Sequence, residues 1–161
     1  MLPPLPCYLN GEYTLLPDAK VSVMDRGFVF GDGVYEVIPV YGGCPFRFEQ
    51  HLARLARSLA EIRISNPLTP AQWRAIAIRL IADHARSMGT EAASIHQTLY
   101  FQVTRGVALR DHAMLPDLTP TVFALCNSMT QPSAAQRQGG VACVSADDFR
   151  WHKAHIKSVS L

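Results

Sequence analysis

Residues 24–48 read MDRGFVFGDGVYEVIPVYGGCPFRF. Gly31-Asp32-Gly33 opens an alternating run from Val34 to Tyr41, and Gly42-Gly43 turns it back into a second run from Cys44 to Phe48. The pattern predicts two antiparallel strands, because side chains on a strand point to opposite faces in turn. On the first strand Tyr35, Val37, Pro39 and Tyr41 share one face, and Val34, Glu36, Ile38 and Val40 share the other. The glycines do not have G-x-G-x-x-G spacing and no helix is predicted after them, so they read as turn residues and not as a phosphate cradle.

Outward from this hairpin the chain alternates between two periods. Upstream, residues 8–23 place Asn10-Gly11 between short apolar runs, a strong hairpin signal, so antiparallel strands also begin the chain. Downstream, Phe48, Leu52, Leu55, Leu59 and Ile62 fall at intervals of three and four, which predicts an amphipathic helix over 48–62 with Glu49, Gln50, Arg54, Arg57 and Glu61 outward. A second helix starts at Thr69, a good N-cap followed by Pro70 and by Gln72 at the capping-box position. Its stripe is Trp73, Ile76, Leu80 and His84, and Gly89 ends it. QTLYFQVTRG (97–106) alternates Leu99, Phe101 and Val103 against Thr98, Tyr100, Gln102 and Thr104, and TVFALCNSM (121–129) follows as another strand. Strands mixed with two helices in this order predict an α+β fold, an antiparallel sheet backed by helices.

Composition bounds the rest. With 161 residues, 15 Lys plus Arg against 13 Asp plus Glu and a net charge of +2, the chain is ordinary globular material. It has no basic run or interleaved aromatic stripe, so nucleic acid is not expected as a partner. No segment suits a signal peptide or a bilayer span, so no membrane is expected and the cytoplasm is the default setting. Cys7, Cys44, Cys126 and Cys143 are widely spaced and read as free thiols. His152 and His155 lack the partners of a metal site, and none is expected. Residues 130–140, TQPSAAQRQGG, lose apolar periodicity and read as a linker between a first domain, 1–129, and the start of a second, 141–161, where VACVSA begins a strand. About twenty residues cannot form a core alone, so the chain is expected to be a truncated part of a longer protein.

The tail 155–161 reads HIKSVSL. Extended, it sets Lys157 on one face with Val159 and Leu161. Two readings stand: a solvated lysine, or an ammonium aimed at apolar surroundings, where a lowered pKa makes it a nucleophile toward aldehydes.

Four stretches occur in an order and at separations resembling the fold-type IV (class IV) pyridoxal-phosphate-dependent aminotransferases: DRGFVFGDGVYEVIPVY (25–41), HLARLARSLAEIRI (51–64), YFQVTRGVALRDH (100–112) and DDFRWHKAHIKSVSL (147–161). Within that family they look most like the D-amino acid aminotransferase branch. The resemblance implies the small N-terminal domain of that fold followed by the start of the larger second domain, with pyridoxal 5'-phosphate as cofactor and a homodimeric assembly. Lys157 matches the family's Schiff-base lysine, which also moves the substrate Cα proton. Arg54 matches the arginine that holds the cofactor phosphate; read from its helix alone, it is a solvated arginine on the polar face. Tyr35 matches the tyrosine facing the substrate carboxylate, and otherwise packs on the sheet. Arg110 and His112 match the pair that traps that carboxylate, a bidentate fork beside a histidine donor; without the resemblance they belong to a polar loop with Asp111 pairing locally. The implied reaction carries the amino group of a D-amino acid such as D-alanine to a 2-oxo acid such as 2-oxoglutarate. An R-x-H pair is not expected in the related branched-chain aminotransferases or aminodeoxychorismate lyases, which are the alternatives, together with a non-catalytic α+β module. The pyridine-nitrogen partner and further phosphate contacts are expected after Leu161, so the 161 residues alone are expected to be inactive.

Overall fold

Asn10 and Gly11 both take positive φ, 50° and 102°. That is the conformation a tight two-residue hairpin requires, and one that Asn and Gly reach at low steric cost. The turn pairs β1 (Pro6–Leu9) with β2 (Glu12–Leu15), Pro6 opposite Leu15 and Leu9 opposite Glu12. The computed structural model of the chain describes residues 2–113, 115 and 117–148, and the chain divides into two units, Met1–Met129 and Thr130–Leu161.

The first unit is a six-stranded antiparallel sheet. β3 (Gly33–Tyr41), β4 (Cys44–Pro45), β5 (His96–Thr104) and β6 (Thr121–Ser128) join the first hairpin in the order β2-β1-β6-β5-β3-β4. β3 pairs with β5 along its whole length, Gly33 opposite Thr104 and Tyr41 opposite His96. The alternation expected on β3 holds: Glu36, Ile38 and Val40 are buried, whereas Tyr35, Val37 and Tyr41 are exposed. Leu99, Phe101 and Val103 of β5 are fully buried on the same side.

Four α-helices are present among the described residues. α1 (Arg26–Phe30) is a single short turn, closed at its start by the Asp25 carboxylate accepting from Gly27 N at 2.8 Å and at its end by Gly31 in the left-handed conformation. α2 (Phe48–Glu61) buries Phe48, Leu52, Leu55 and Leu59. α3 (Pro70–Ser87) starts with the expected Thr69–Gln72 capping box and buries Trp73, Ile76, Leu80 and His84. α2 and α3 cover one face of the sheet, where Trp73 meets Phe101 with ring centroids 4.8 Å apart. Each large apolar side chain sealed there contributes about 1.5–3 kcal/mol by leaving water. The α+β layer, an antiparallel sheet backed by two long helices, is therefore the architecture.

Two strand expectations are corrected, and two short helices are added. The second strand of the 24–48 hairpin ends at Pro45 and does not run to Phe48: Arg47 has φ 49°, which breaks the extended backbone and lets Phe48 begin α2. The short α1, unforeseen, lies in front of β3. In the second unit, Ser133 and Gln136 form a capping box that starts α4 (Ala134–Gly139) within 130–140. Residues 141–148 form no strand; a strand needs a ladder partner, and none pairs with this segment among the described residues. No described helix is long and apolar enough to cross a membrane.

Candidate functional site

β3 carries a carboxylate into the covered side of the sheet. Glu36 lies between Val34 and Ile38 on the core face, and its side chain is 2% exposed. A charge so placed needs charged donors. α2 supplies them: Arg54 Nε donates to Glu36 Oε1 at 2.6 Å and Arg54 Nη2 to Oε2 at 2.5 Å, while His51 Nδ1 lies 2.7 Å from Oε2. Residues 51 and 54 can both reach one acceptor because positions three apart share a helix face. Burial pushes the Glu36 carboxyl up, but the hydrogen bonds from Arg54 and His51 outweigh it and hold the group below the usual carboxylate range. The same bonds raise Arg54 above the ordinary arginine value.

Arg54 is therefore neither a freely solvated arginine nor a buried one. Its side chain remains 55% exposed, aligned by Glu36, and it lines a shallow cavity of about 420 Å³ together with Arg47, His51 and Arg57. Three guanidiniums and an imidazole around one concavity suit a doubly charged phosphate group, and the fork of Arg54 keeps donors beyond those spent on Glu36. The donor chemistry fits a phosphorylated cofactor at Arg54.

Tyr35, next along β3, points to the other face of the sheet, 66% exposed, and stacks on Tyr100 with centroids 6.0 Å apart. Tyr100 OH donates to Gln102 Oε1 at 3.0 Å, so the phenol of Tyr35 stands beside a small polar and aromatic patch of β5. Bare sheet packing, the alternative, accounts for its stacking on Tyr100.

Arg110 and His112 come together on the ring of Phe30. The Arg110 guanidinium carbon lies 5.3 Å from the ring centroid, and the His112 ring centroid lies 5.6 Å from it. Both side chains are exposed. Asp111 does pair locally, accepting from Ala113 N at 3.1 Å, so the polar-loop reading and the juxtaposition of Arg110 with His112 hold together.

Beneath that loop is a charged cluster that sequence reasoning missed. Asp32 accepts from Arg26 Nε at 2.8 Å and from Arg105 Nε and Nη2 at 2.7 and 3.0 Å. Burial raises the Asp32 carboxyl, and the bonds from Arg105 and Arg26 more than reverse the effect. Arg105 also ties down the carbonyls of Ile62 and Arg63, at 2.7 and 3.1 Å, behind α2. Arg26 reaches the carbonyl of Asp111 at 2.8 Å. Glu36 could have been found, since strand alternation puts an acid on the core face; Arg26, Asp32 and Arg105 had no comparable signal. Lys157 lies outside the described residues.

A family model described as amino-transferase class IV matches residues 33–161. The chain is 40% identical over 152 residues to a D-alanine aminotransferase of Bacillus licheniformis, covering 94% of this chain and 50% of that one. With a D-alanine aminotransferase of Staphylococcus aureus it shares 36% identity over 155 residues, 96% of this chain and 52% of the other. The chain thus spans about half the length of the curated relatives it matches. Among solved structures, the 4-amino-4-deoxychorismate lyase of Pseudomonas aeruginosa matches with a TM-score of 0.62 and 29% identity, over 84% of this chain and 44% of the lyase. A branched-chain amino acid aminotransferase of Escherichia coli reaches a TM-score of 0.66 at 20% identity, over 83% and 43% of the two chains, and so is alike in fold.

Proposed function

We propose, on the premise that the chain belongs to the amino-transferase class IV family, that the protein carrying it is a pyridoxal-phosphate transaminase. The amino group it moves is that of a D-amino acid such as D-alanine, and the acceptor is a 2-oxo acid such as 2-oxoglutarate. The reading carries with it the homodimer and the cytoplasmic setting that the resemblance implies.

One observation carries the substrate side: Arg110 and His112 are gathered on a single aromatic ring, with a guanidinium fork and an imidazole available to one ligand. A carboxylate is the anion that such a fork binds through two parallel bonds. The D-alanine aminotransferases at 36–40% identity point the same way.

When bound, pyridoxal phosphate supplies an aldehyde that condenses with amines and a ring that accepts the electrons left when the substrate Cα proton departs. The chain's own residues do the placing. Arg54 holds the phosphate with the donors that Glu36 leaves free, and Glu36 keeps that fork from swinging into solvent. Tyr35 stands on the substrate side of β3 and turns a hydroxyl toward the carboxylate. Arg110 and His112 anchor the carboxylate and so fix which face of Cα meets the base. Lys157 Nζ would hold the cofactor and would move the Cα proton, work that needs an amine whose pKa is lowered toward neutrality.

The test compares amino donors, with 2-oxoglutarate as acceptor, in the protein that contains these residues. D-alanine or D-glutamate should be consumed far faster than L-valine or L-leucine. Equal or better rates with the branched L-amino acids would transfer the protein to the branched-chain alternative, and a colourless protein with no turnover would favour a non-catalytic module.

A further inference from the structure

The described residues of the loop that presents Arg110 and His112 form no helix or strand, yet residues 24–32 pin it at successive points. Arg26 N donates to Gly106 O at 2.9 Å, Asp25 bridges to Val107, and Ala108 N donates to Met24 O at 3.3 Å. Farther along, the Arg26 side chain takes over. Its Nη1 donates to the carbonyl of Asp111 at 2.8 Å and reaches that of Ala113 at 3.5 Å, while its Nε is held by Asp32 at 2.8 Å. Its guanidinium carbon also lies 4.7 Å from the centroid of Phe30, the ring that Arg110 and His112 flank.

We propose that Arg26, clamped by Asp32, is a positioning residue that sets the spacing of Arg110 and His112 for a substrate carboxylate; the inference rests on the transaminase reading above. The Asp111 carbonyl belongs to the peptide between the two functional residues, so holding that oxygen fixes the backbone from which both side chains leave. Phe30 supplies the matching constraint at the side-chain end. A guanidinium is suited to the task because its planar fork bonds a carboxylate and a carbonyl at once, whereas a lysine ammonium is a point charge on a flexible stem. Arg105, with its own grip on Asp32, keeps the carboxylate from following any motion of Arg26. Misplacing a binding group by about 1 Å can cost as much as about 100-fold in catalytic efficiency, so a contact that never meets substrate still governs its capture.

The experiment uses the cofactor-loaded protein that carries this chain, with Arg26→Lys, Phe30→Leu, Arg110→Leu and the double variant Arg26→Lys/Arg110→Leu. The readouts are kcat and KM for D-alanine, the inhibition constant of D-lactate as a non-reacting 2-hydroxy acid, and the absorbance of the bound cofactor. Arg26→Lys and Phe30→Leu should each raise KM and the D-lactate constant together by about tenfold, with kcat and absorbance nearly unchanged. The double variant should lose less D-lactate affinity than the two single losses combined, because Arg26 acts in part through the residue already removed. Additive losses in the double variant, or a lowered melting temperature with unchanged KM, would overturn the proposal. Should Arg26→Lys fail to fold, Phe30→Leu decides: an unchanged D-lactate constant there also overturns it. If Arg110→Leu itself leaves KM and the D-lactate constant unchanged, the carboxylate reading of Arg110 falls and the positioning role falls with it.

Discussion

Replacing Asp32 with asparagine takes away the carboxylate that two buried guanidiniums share. Asp32, Arg26 and Arg105 have side chains 15%, 7% and 8% exposed, so solvent screens their attraction little. Removing one member of such a buried group costs about 3–5 kcal/mol, mostly from the charges left without a partner. Here the lower end applies. Arg105 keeps the carbonyls of Ile62 and Arg63, Arg26 keeps that of Asp111, and the new amide still offers one oxygen. A loss of about 3 kcal/mol lowers hydrogen-exchange protection roughly 100-fold in amides that open with this cluster. The amides to follow are Arg105, which donates to the Asp32 carbonyl, and those of Gly33 to Tyr35 in β3. Because the folded carboxyl titrates below its ordinary value, its contribution is complete above the unfolded value of about 4 and is lost as pH falls through the folded value. The gap between wild type and Asp32→Asn should therefore close in acid. Protection that changes less than about threefold at pH 7, or a gap that persists undiminished in strong acid, would refute the assignment of a charge-paired Asp32.

Glu36→Gln should loosen cofactor retention during dialysis while the sheet stays folded, since the fork of Arg54 loses its charged anchor; retention equal to wild type would separate Glu36 from the phosphate site. His84 is buried, accepts at Nδ1 from Gln97 Nε2 at 2.8 Å, and burial holds its pKa down. Its stabilising effect is complete above the unfolded value of about 6.5 and is lost as pH drops from there toward the lower folded value, so stability should fall on acidification through that range and His84→Gln should flatten that slope. Gly106 has φ 100°, and a Cβ there would collide with the carbonyl of Thr119. Gly106→Ala should cost at least about 2 kcal/mol in urea unfolding and displace the loop that starts at Gly106. An alanine variant of wild-type stability would contradict the close approach.

Most of the fold was legible because period and burial agree. The 3.6-residue stripe of Leu52, Leu55 and Leu59, the Thr69–Gln72 box and the alternation of β3 and β5 each recur over enough residues to average out local exceptions. α1 was not legible, since five residues held by an Asp25 cap and Gly31 are too short for any period. β4 was overextended because Phe46 and Phe48 continue an alternating pattern that the backbone of Arg47 interrupts. At the site, resemblance supplied Tyr35, Arg54, Arg110 and His112, and geometry supplied their supports. Glu36 was visible as an acid on a core face. Asp32 and Arg105 are 73 residues apart, and only the β3–β5 register brings them together, so no local pattern could announce their pairing.

The proposed attachment of pyridoxal phosphate to Lys157 is tested most directly by covalent labelling. The sequence holds three lysines, Lys20, Lys153 and Lys157. Borohydride reduction of the protein that contains the chain, in the presence of pyridoxal phosphate, followed by peptide mapping, should place the cofactor on Lys157, and Lys157→Ala should abolish both label and transamination. Label found instead on Lys153 or Lys20, with Lys157 unmodified, would contradict the account.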